Sequence, residues 1–221
     1  MLASELISYD LPFLKPQNSG DDALAMMDEN RVSHIPIVKD GEYLGLISDN
    51  DIYNFFEDTG DSIKKQKLAL MRPFVRLQNH LFEVIKIMGE AKISVIPVLD
   101  DKEKYVGSIL SQDIAYSFSR LTSANEPGGV VVLELNMNDY SLSQIAQIVE
   151  SDGAKILNCS TATTSDSTKL EVILKINIVD LSRIIQTFER YKYTVKESYH
   201  QSTFDEDLQR RYDLFMNYLN M

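Results

Sequence analysis

Two stretches of the chain are versions of one another: RVSHIPIV at residues 31–38 and KISVIPVL at residues 92–99. A second matching pair follows them, GLISDNDI at residues 45–52 and GSILSQDI at residues 107–114. The first pair is offset by 61 positions and the second by 62, so one extra residue falls between the two matches. Since chain length varies mainly in turns, this pattern indicates a duplicated unit of about 60 residues.

Each copy has the pattern of a β-α-β-β-α unit. Its first helix is predicted from apolar residues three and four positions apart: Ala23, Leu24 and Met27 in one copy, and Phe82, Ile85, Ile87 and Met88 in the other. Ser19 and Asp22 predict a capping box for the first of these helices, and Asn79 is the predicted cap of the second. A strand follows in each copy (Ile35 to Val38, or Val95 to Leu99), then a tight turn (Asp40-Gly41 in the first copy) and another strand (Tyr43 to Ile47, or Tyr105 to Ile109). A further helix opens near Asp51 or Asp113.

A unit of this size buries its own faces poorly, so the two copies are expected to pack together. The Ile-Pro strand and the hairpin leading into Gly-x-Ile-Ser-x-x-Asp-Ile resemble the tandem CBS (cystathionine-β-synthase-type) pair, or Bateman module. The resemblance covers residues 1–122, with repeats at about 1–60 and 61–122. It implies a disk with two clefts that binds an adenosine-containing ligand, and such disks often dimerise. AMP, ADP, ATP or S-adenosylmethionine would then be a regulatory ligand, with no cofactor required.

The resemblance also assigns site residues. A ribose needs a carboxylate that accepts from both hydroxyls, and a phosphate needs a hydroxyl or free backbone N–H groups. Ser48 and Asp51 stand three apart where a strand runs into a helix. By the family motif, Asp51 and Asp113 are the ribose acceptors and Ser48 is the phosphate-side hydroxyl. In the second copy Leu110 takes the hydroxyl position, so we expect that cleft to be weaker, empty or specific for a neutral nucleoside.

The base and the phosphate have further candidate neighbours. Ile35-Pro36 and Ile96-Pro97 are expected to line the base pockets, because a proline lacks an N–H, ends strand pairing and leaves nearby backbone groups free. Arg31 and Lys92 precede these strands and are the nearest cations that a phosphate would recruit.

The same residues have a purely structural interpretation. Serine and aspartate are preferred helix caps, so Ser48 and Asp51 are also explained by capping, in a pair that only dimerises. His34 is expected to be packed or at the edge of a cleft rather than a metal ligand, because no second histidine or cysteine lies near it. No serine shows a nucleophile-elbow sequence and no acid/base pair is placed for chemistry, so no enzyme is predicted.

The second half predicts a different domain. Residues 123–129 (SANEPGG) are mostly small, turn-forming residues, which indicates a linker. Residues 130–200 then predict the order β-α-β-β-α-β of a ferredoxin-like sheet and resemble an ACT domain. Amino-acid-binding ACT domains usually carry a Pro-Gly turn after the first strand, whereas residues 136–142 are NMNDYSL. Asp139 is the candidate to hold an ammonium group there, and a dimerisation role is favoured over amino-acid sensing.

The order of a CBS pair and an ACT domain resembles the acetoin-utilisation B-type accessory proteins. Residues 201–221 add an amphipathic helix, with Phe204, Leu208, Tyr212, Phe215 and Leu219 on one face. Such a helix needs a partner surface, on its own domain or on a second subunit.

Composition limits the remaining classes. The chain has 221 residues, with 44% hydrophobic and 25% charged residues, which is typical of globular proteins. Its formal net charge of −11 disfavours nucleic-acid binding. A single cysteine, no apolar leader and no long apolar run predict a cytoplasmic protein without membrane contact.

The sequence therefore predicts an α/β (α+β) chain with a non-enzymatic regulatory function. It would be a homodimer whose CBS pair binds an adenosine-containing small molecule and signals to a protein partner. The alternatives are a ligand-free dimeric scaffold and an amino-acid-sensing ACT regulator.

Overall fold

The structure is a computed structural model that describes residues 1–56, 59–65, 70–163, 168–199 and 216. The chain divides into two compact units, Met1–Ser117 and Phe118–Met221. The division falls within a helix, a few residues before the linker predicted at 123–129. The tail helix predicted at 201–221 lies outside the described residues, apart from Met216.

The first unit contains both repeats, apart from the last turn of the second repeat's final helix. The first repeat consists of α1 (Gly20–Asn30), β1 (His34–Lys39), β2 (Glu42–Ser48) and α2 (Asp49–Phe55). The second consists of β3 (Val75–Arg76), α3 (Leu81–Ala91), β4 (Val95–Leu99), β5 (Tyr105–Leu110) and α4 (Ser111–Leu121). β1 pairs antiparallel with β2, and β4 lies between parallel β3 and antiparallel β5.

The two repeats differ in their opening strand. The second repeat has the two-residue strand β3, in which Val75 pairs with Val98. In the first repeat the equivalent position, Leu14, forms only an isolated parallel bridge to Ile37. Both members of that pair are offset by the same 61 residues, so the duplication is visible in the pairing even where a strand is lacking.

Local signals account for most element ends. Ser19 Oγ accepts from Asp22 N at 3.1 Å and Asp22 Oδ2 accepts from Ser19 N at 2.9 Å, which is the predicted capping box. The turn residues Asp40 and Gly41 have φ of 50° and 79°, as a two-residue hairpin turn requires. The prediction of Asn79 as a cap was wrong: His80 caps α3, its Nδ1 accepting from Phe82 N at 3.3 Å.

Each repeat also receives a segment of chain from outside its own hairpin. Ser8 N donates to Ser108 O at 2.9 Å, and Leu46 N donates to Met71 O at 2.8 Å. The segment around Ser8, near the start of the first repeat, therefore pairs with β5 of the second repeat, and the segment around Met71, near the start of the second repeat, pairs with β2 of the first. These two exchanges tie the repeats together through backbone hydrogen bonds.

The second unit is one sheet covered by two helices. Its elements are β6 (Gly129–Asn136), α5 (Leu142–Ser151), β7 (Ile156–Thr163), β8 (Lys169–Ile176), α6 (Ser182–Arg190) and β9 (Thr194–Tyr199). The strand order is β7-β8-β6-β9 with every neighbour antiparallel, the order of a ferredoxin-like sheet. Both helices cover the same face, since their buried side chains share one core with alternate residues of β6 and β8: Ile145, Ile148, Val149, Ile184, Phe188, Val131, Leu133, Val172, Leu174 and Ile176.

Candidate functional site

Ser48 and Asp51 lie together at the junction of β2 and α2. Ser48 Oγ accepts from Asp51 N at 3.0 Å, and Asp51 Oδ2 accepts from Ser48 N at 2.9 Å and from Ser48 Oγ at 2.7 Å. This is a complete capping box, so the structural interpretation of the pair holds in the structure. Among the described residues, nothing donates to the other carboxylate oxygen, Asp51 Oδ1, and both side chains are half-buried. The pair therefore keeps free acceptor capacity.

The equivalent junction of the second repeat has no such box. Asp113 lies in the first turn of α4 and is half-buried, and none of the described residues donates to its carboxylate. Leu110, at the position of Ser48, is buried. The second repeat therefore lacks the hydroxyl, as the sequence predicts, and it also lacks the corresponding helix cap at the start of α4.

The Ile-Pro pairs lie within β1 and β4 rather than at the ends of these strands. Ile35 and Ile96 are fully buried and belong to the cores of their repeats. Pro36 and Pro97 lie inside strands and pair with Leu46 and Ser108, so the prediction that they end strand pairing was wrong. Pro36 O accepts from Leu14 N at 2.8 Å, which shows that this residue turns its hydrogen-bonding side away from β2. Because the missing N–H of the proline lies on that side, the β1–β2 ladder loses no hydrogen bond.

Arg31 and Lys92 have a backbone role that the sequence analysis missed. Both end a helix in the left-handed conformation, with φ of 53° and 54°, and their N–H groups donate to the last carbonyls of α1 and α3. Their side chains are exposed, and no described residue forms an ion pair with either of them. Both are therefore surface cations, and their contact with a phosphate stays a prediction.

Polar side chains meet where the two repeats touch. His34 Nδ1 accepts from Ser94 N at 3.3 Å, with Ser94 Oγ at 3.2 Å and Ser33 Oγ at 3.0 Å. Ser33 N also donates to Ser94 Oγ at 3.0 Å. Ser33 and Ser94 are equivalent positions of the two repeats, so they face each other across the boundary. We call His34, Ser33 and Ser94 the seam.

His34 belongs to the seam and to the Ser48 junction at once. In the β1–β2 ladder His34 is the direct partner of Ser48, and directly opposed side chains project to the same face of a hairpin. Burial lowers the pKa of His34 below its usual value, and the carboxylates of Asp49 and Asp51 oppose this shift. From the sequence, His34 was expected to be packed or at the edge of a cleft, without a connection to Ser48.

Several cavities are lined by described residues. Two of them, of about 230 and 420 Å³, lie at the turn ends of the two hairpins, beside Phe74 and Phe13. A third, of about 350 Å³, lies in the second unit between Asp139, Gln144, Lys169 and Tyr193. The described part of the chain holds no cluster of metal-ligating side chains and no helix long and apolar enough to span a membrane.

Curated relatives match part of the chain. It is 24% identical over 127 residues to an inosine-5'-monophosphate dehydrogenase of Korarchaeum cryptofilum, covering 58% of this chain and 26% of the enzyme. It is 26% identical over 116 residues to a homoserine O-acetyltransferase of Methanohalobium evestigatum, covering 51% and 23%. The chain therefore spans about a quarter of the length of these relatives.

Solved structures resemble half of the chain. A CBS domain pair/ACT domain protein from Thermotoga maritima matches with a TM-score of 0.48 and 16% identity, over 54% of this chain and 98% of that one. CBSX2 in complex with AMP matches with a TM-score of 0.45 and 21% identity, over 54% and 96%. The family model of the CBS domain matches residues 3–58 and 69–120, one match for each repeat. The chain thus contains a tandem pair of CBS domains.

Proposed function

We propose that this chain is a non-enzymatic regulatory protein whose CBS pair binds an adenine nucleotide or another adenosine-containing ligand. The observation that carries the proposal is the half-buried Ser48–Asp51 pair at the end of β2, with the oxygen Asp51 Oδ1 unengaged among the described residues. The chain contains a tandem CBS pair. By the motif of that family, Asp51 is the ribose acceptor and Ser48 is the phosphate-side hydroxyl.

The chemistry of the pair suits a ribose diol. An ionised carboxylate accepts on both oxygens, and Asp51 uses only Oδ2 for its cap, with two bonds to Ser48. The two ribose hydroxyls would donate to Oδ1 and to the remaining capacity of Oδ2. A phosphate oxygen would accept from the Ser48 hydroxyl, which must then turn away from Asp51. Ligand binding thus replaces a bond inside the cap by a bond to the ligand.

Regulation follows if the ligand favours one arrangement of the protein. A ligand shifts such an equilibrium only by the difference in its affinity for the two states. We place the clefts at the boundary between the repeats 1–60 and 61–122. Signalling is assigned to a homodimer in the cytoplasm. This homodimer would present its ACT-like domain at 130–200, or its tail, to a protein partner. Such a regulator requires no cofactor.

A thermal-shift series tests the proposal. Adenosine, AMP, ADP, ATP and S-adenosylmethionine are added to the wild type, to Asp51→Ala and to Asp22→Ala. Asp22 is the matched control because it forms the same capping box with Ser19 away from the proposed cleft. A ligand at 100 times its Kd stabilises the fold by about 2.7 kcal/mol.

We expect a raised midpoint in the wild type and in Asp22→Ala, and none in Asp51→Ala. No shift with any of the five ligands would favour the alternative of a ligand-free scaffold. Equal shifts in all three proteins would mean that the ligand binds without Asp51.

The cavity in the second unit supports a second candidate function, amino-acid sensing. It has about 350 Å³, within the range of small-molecule sites, and charged residues of both signs line it, namely Asp139, Lys192 and the ion pair of Lys169 with Glu134. Asp139, the candidate for an ammonium group, is among these residues. Tyr193 Oη donates to Gln144 Oε1 at 2.7 Å across the same cavity. A titration of the wild type and Asp139→Asn with the free amino acids tests this function; binding that Asp139→Asn leaves intact would exclude the proposed ammonium contact.

A further inference from the structure

The two proposed clefts differ in the polarity of the side chains at the end where a phosphate would lie. In the first repeat the opposed pair at the end of the hairpin is His34 and Ser48. In the second repeat the pair at the same ladder position is Val95 and Leu110. A polar pair in one repeat therefore stands where the other has two aliphatic side chains.

The aliphatic pair is closed by packing. Val95 and Leu110 are buried together with Leu11 in one small apolar cluster, and Val32 packs against it. A phosphate placed there would lose its hydration without a hydrogen-bond donor in return, which is strongly unfavourable. The Asp113 carboxylate nearby keeps its acceptor capacity for a ribose.

The polar pair instead offers two donors. Because His34 Nδ1 accepts from the backbone N–H of Ser94, the proton of the neutral ring resides on Nε2. None of the described residues accepts from Nε2. Ser48 contributes its hydroxyl from the opposite strand, and both side chains are half-buried, where a hydrogen bond to an anion is stronger than in bulk water.

We propose that His34 is a specificity-determining residue that, with Ser48, selects a phosphorylated adenosine ligand at the first cleft, while the Val95–Leu110 pair restricts the second cleft to an uncharged one. This inference rests on the proposed nucleotide function and adds the charge class that each cleft accepts. The ligand of the first cleft is a nucleoside phosphate, and that of the second is a nucleoside or another adenosine derivative without charge at that end.

Isothermal titration of the full chain with AMP and with adenosine tests this assignment. The proteins are the wild type, His34→Val, which installs the residue of the second repeat, and His34→Gln, which keeps an N–H donor near the position of Nε2. Adenosine serves as the internal control in an Asp113→Ala background, which removes the proposed ribose acceptor of the second cleft, so that a general disturbance of the seam would weaken both ligands at the first cleft. Thermal unfolding of each variant verifies that it is folded.

We expect the wild type to take up one AMP per chain. His34→Val should lose about tenfold or more in AMP affinity while its adenosine affinity stays within about threefold, and His34→Gln should recover most of the AMP affinity. An unchanged AMP-to-adenosine ratio in His34→Val, or two AMP per wild-type chain, would overturn the inference and leave the proposed function standing. A wild type that binds neither ligand would overturn the proposed function itself.

Discussion

At the scale of single residues, the backbone of Lys92 is held in the left-handed region, with φ 54° and ψ 43°. A Cβ is disfavoured there, whereas glycine is not. We expect Lys92→Gly to raise the free energy of unfolding by about 0.5–1 kcal/mol, after allowing for the greater freedom of glycine in the unfolded chain. Urea unfolding measures this change. Lys92→Ala is the control: it removes the same charge but keeps the Cβ, and a gain equal to that of glycine would refute the explanation.

His34 makes stability depend on pH. Burial lowers its folded-state pKa below the ordinary value of 6.5, and Asp49 and Asp51 limit the shift. Between the two pKa values the unfolded chain binds more protons than the folded one, so the stability present above about pH 6.5 is lost as the pH falls. Protonation of Nδ1 also removes the acceptor for Ser94 N.

We therefore expect His34→Asn, which keeps an acceptor but does not titrate, to lose less stability than the wild type between pH 7.5 and pH 5. Urea unfolding at a series of pH values measures the slope. Parallel slopes for the wild type and His34→Asn would contradict this account.

The candidate site was predictable only where its signal is local. Ser48 and Asp51 are three apart in the sequence, so their capping box and their place at a strand end could be predicted. His34 could not be assigned to Ser48, because the ladder contains a bulge between Ile37 and Val38. Without the bulge, counting back from the Asp40-Gly41 turn pairs His34 with Ile47, on the opposite face.

At the scale of elements, two glycines allow the crossing segments to lie on the hairpins. A Cβ on Gly45 would lie 2.6 Å from Leu70 Cβ, and one on Gly107 would lie 2.5 Å from Ile7 Cγ2. Each glycine follows the bulge of its hairpin and holds the same place in its repeat. The duplicated glycine is therefore explained by the exchange of segments between repeats.

We expect Gly45→Ala to destabilise the protein by about 1–3 kcal/mol, because its obstacle is the first side-chain carbon of Leu70, close to the backbone. Gly107→Ala should cost less, since its obstacle, Ile7 Cγ2, lies one bond further from the backbone than Leu70 Cβ and moves with the χ1 angle of Ile7. Gly89→Ala, in α3 with nothing within 4 Å, should instead stabilise by about 0.5–1 kcal/mol. Chemical unfolding of the three variants measures the order, and a stabilising Gly45→Ala would contradict the close approach.

Element type and order were largely predictable, because hydrophobic periodicity and turn residues are local. The strand predicted at 95–99 is observed at Val95–Leu99, and that predicted at 43–47 extends by one residue at each end to Glu42–Ser48. What the sequence does not signal is pairing between distant segments. The bridges Ser8–Ser108 and Leu46–Met71 join strands β5 and β2 to Ser8 and Met71, whose own neighbourhoods show no strand pattern. The choice between the neighbours Asn79 and His80 as the cap of α3 likewise depends on which of them lies at the start of the helix, and the sequence does not signal this.

At the scale of the whole molecule, a net charge of −11 repels an approaching phosphate. Affinity for a nucleotide must therefore come from short-range contacts in the cleft rather than from long-range attraction. The two compact units have separate cores, and each offers its own candidate site. The central question is thus whether an adenine nucleotide binds, and at which unit.

Backbone amide NMR of the full chain, titrated with AMP, answers this question most directly. We predict that the largest shifts fall on amides at the β2–α2 junction, Ser48, Asn50 and Asp51, and on Ser94 across the seam. The amide chemical shifts of residues that line the cavity of the second unit, such as Asp139 and Tyr193, should not change. A spectrum unchanged by AMP, or shifts confined to the second unit, would contradict the account.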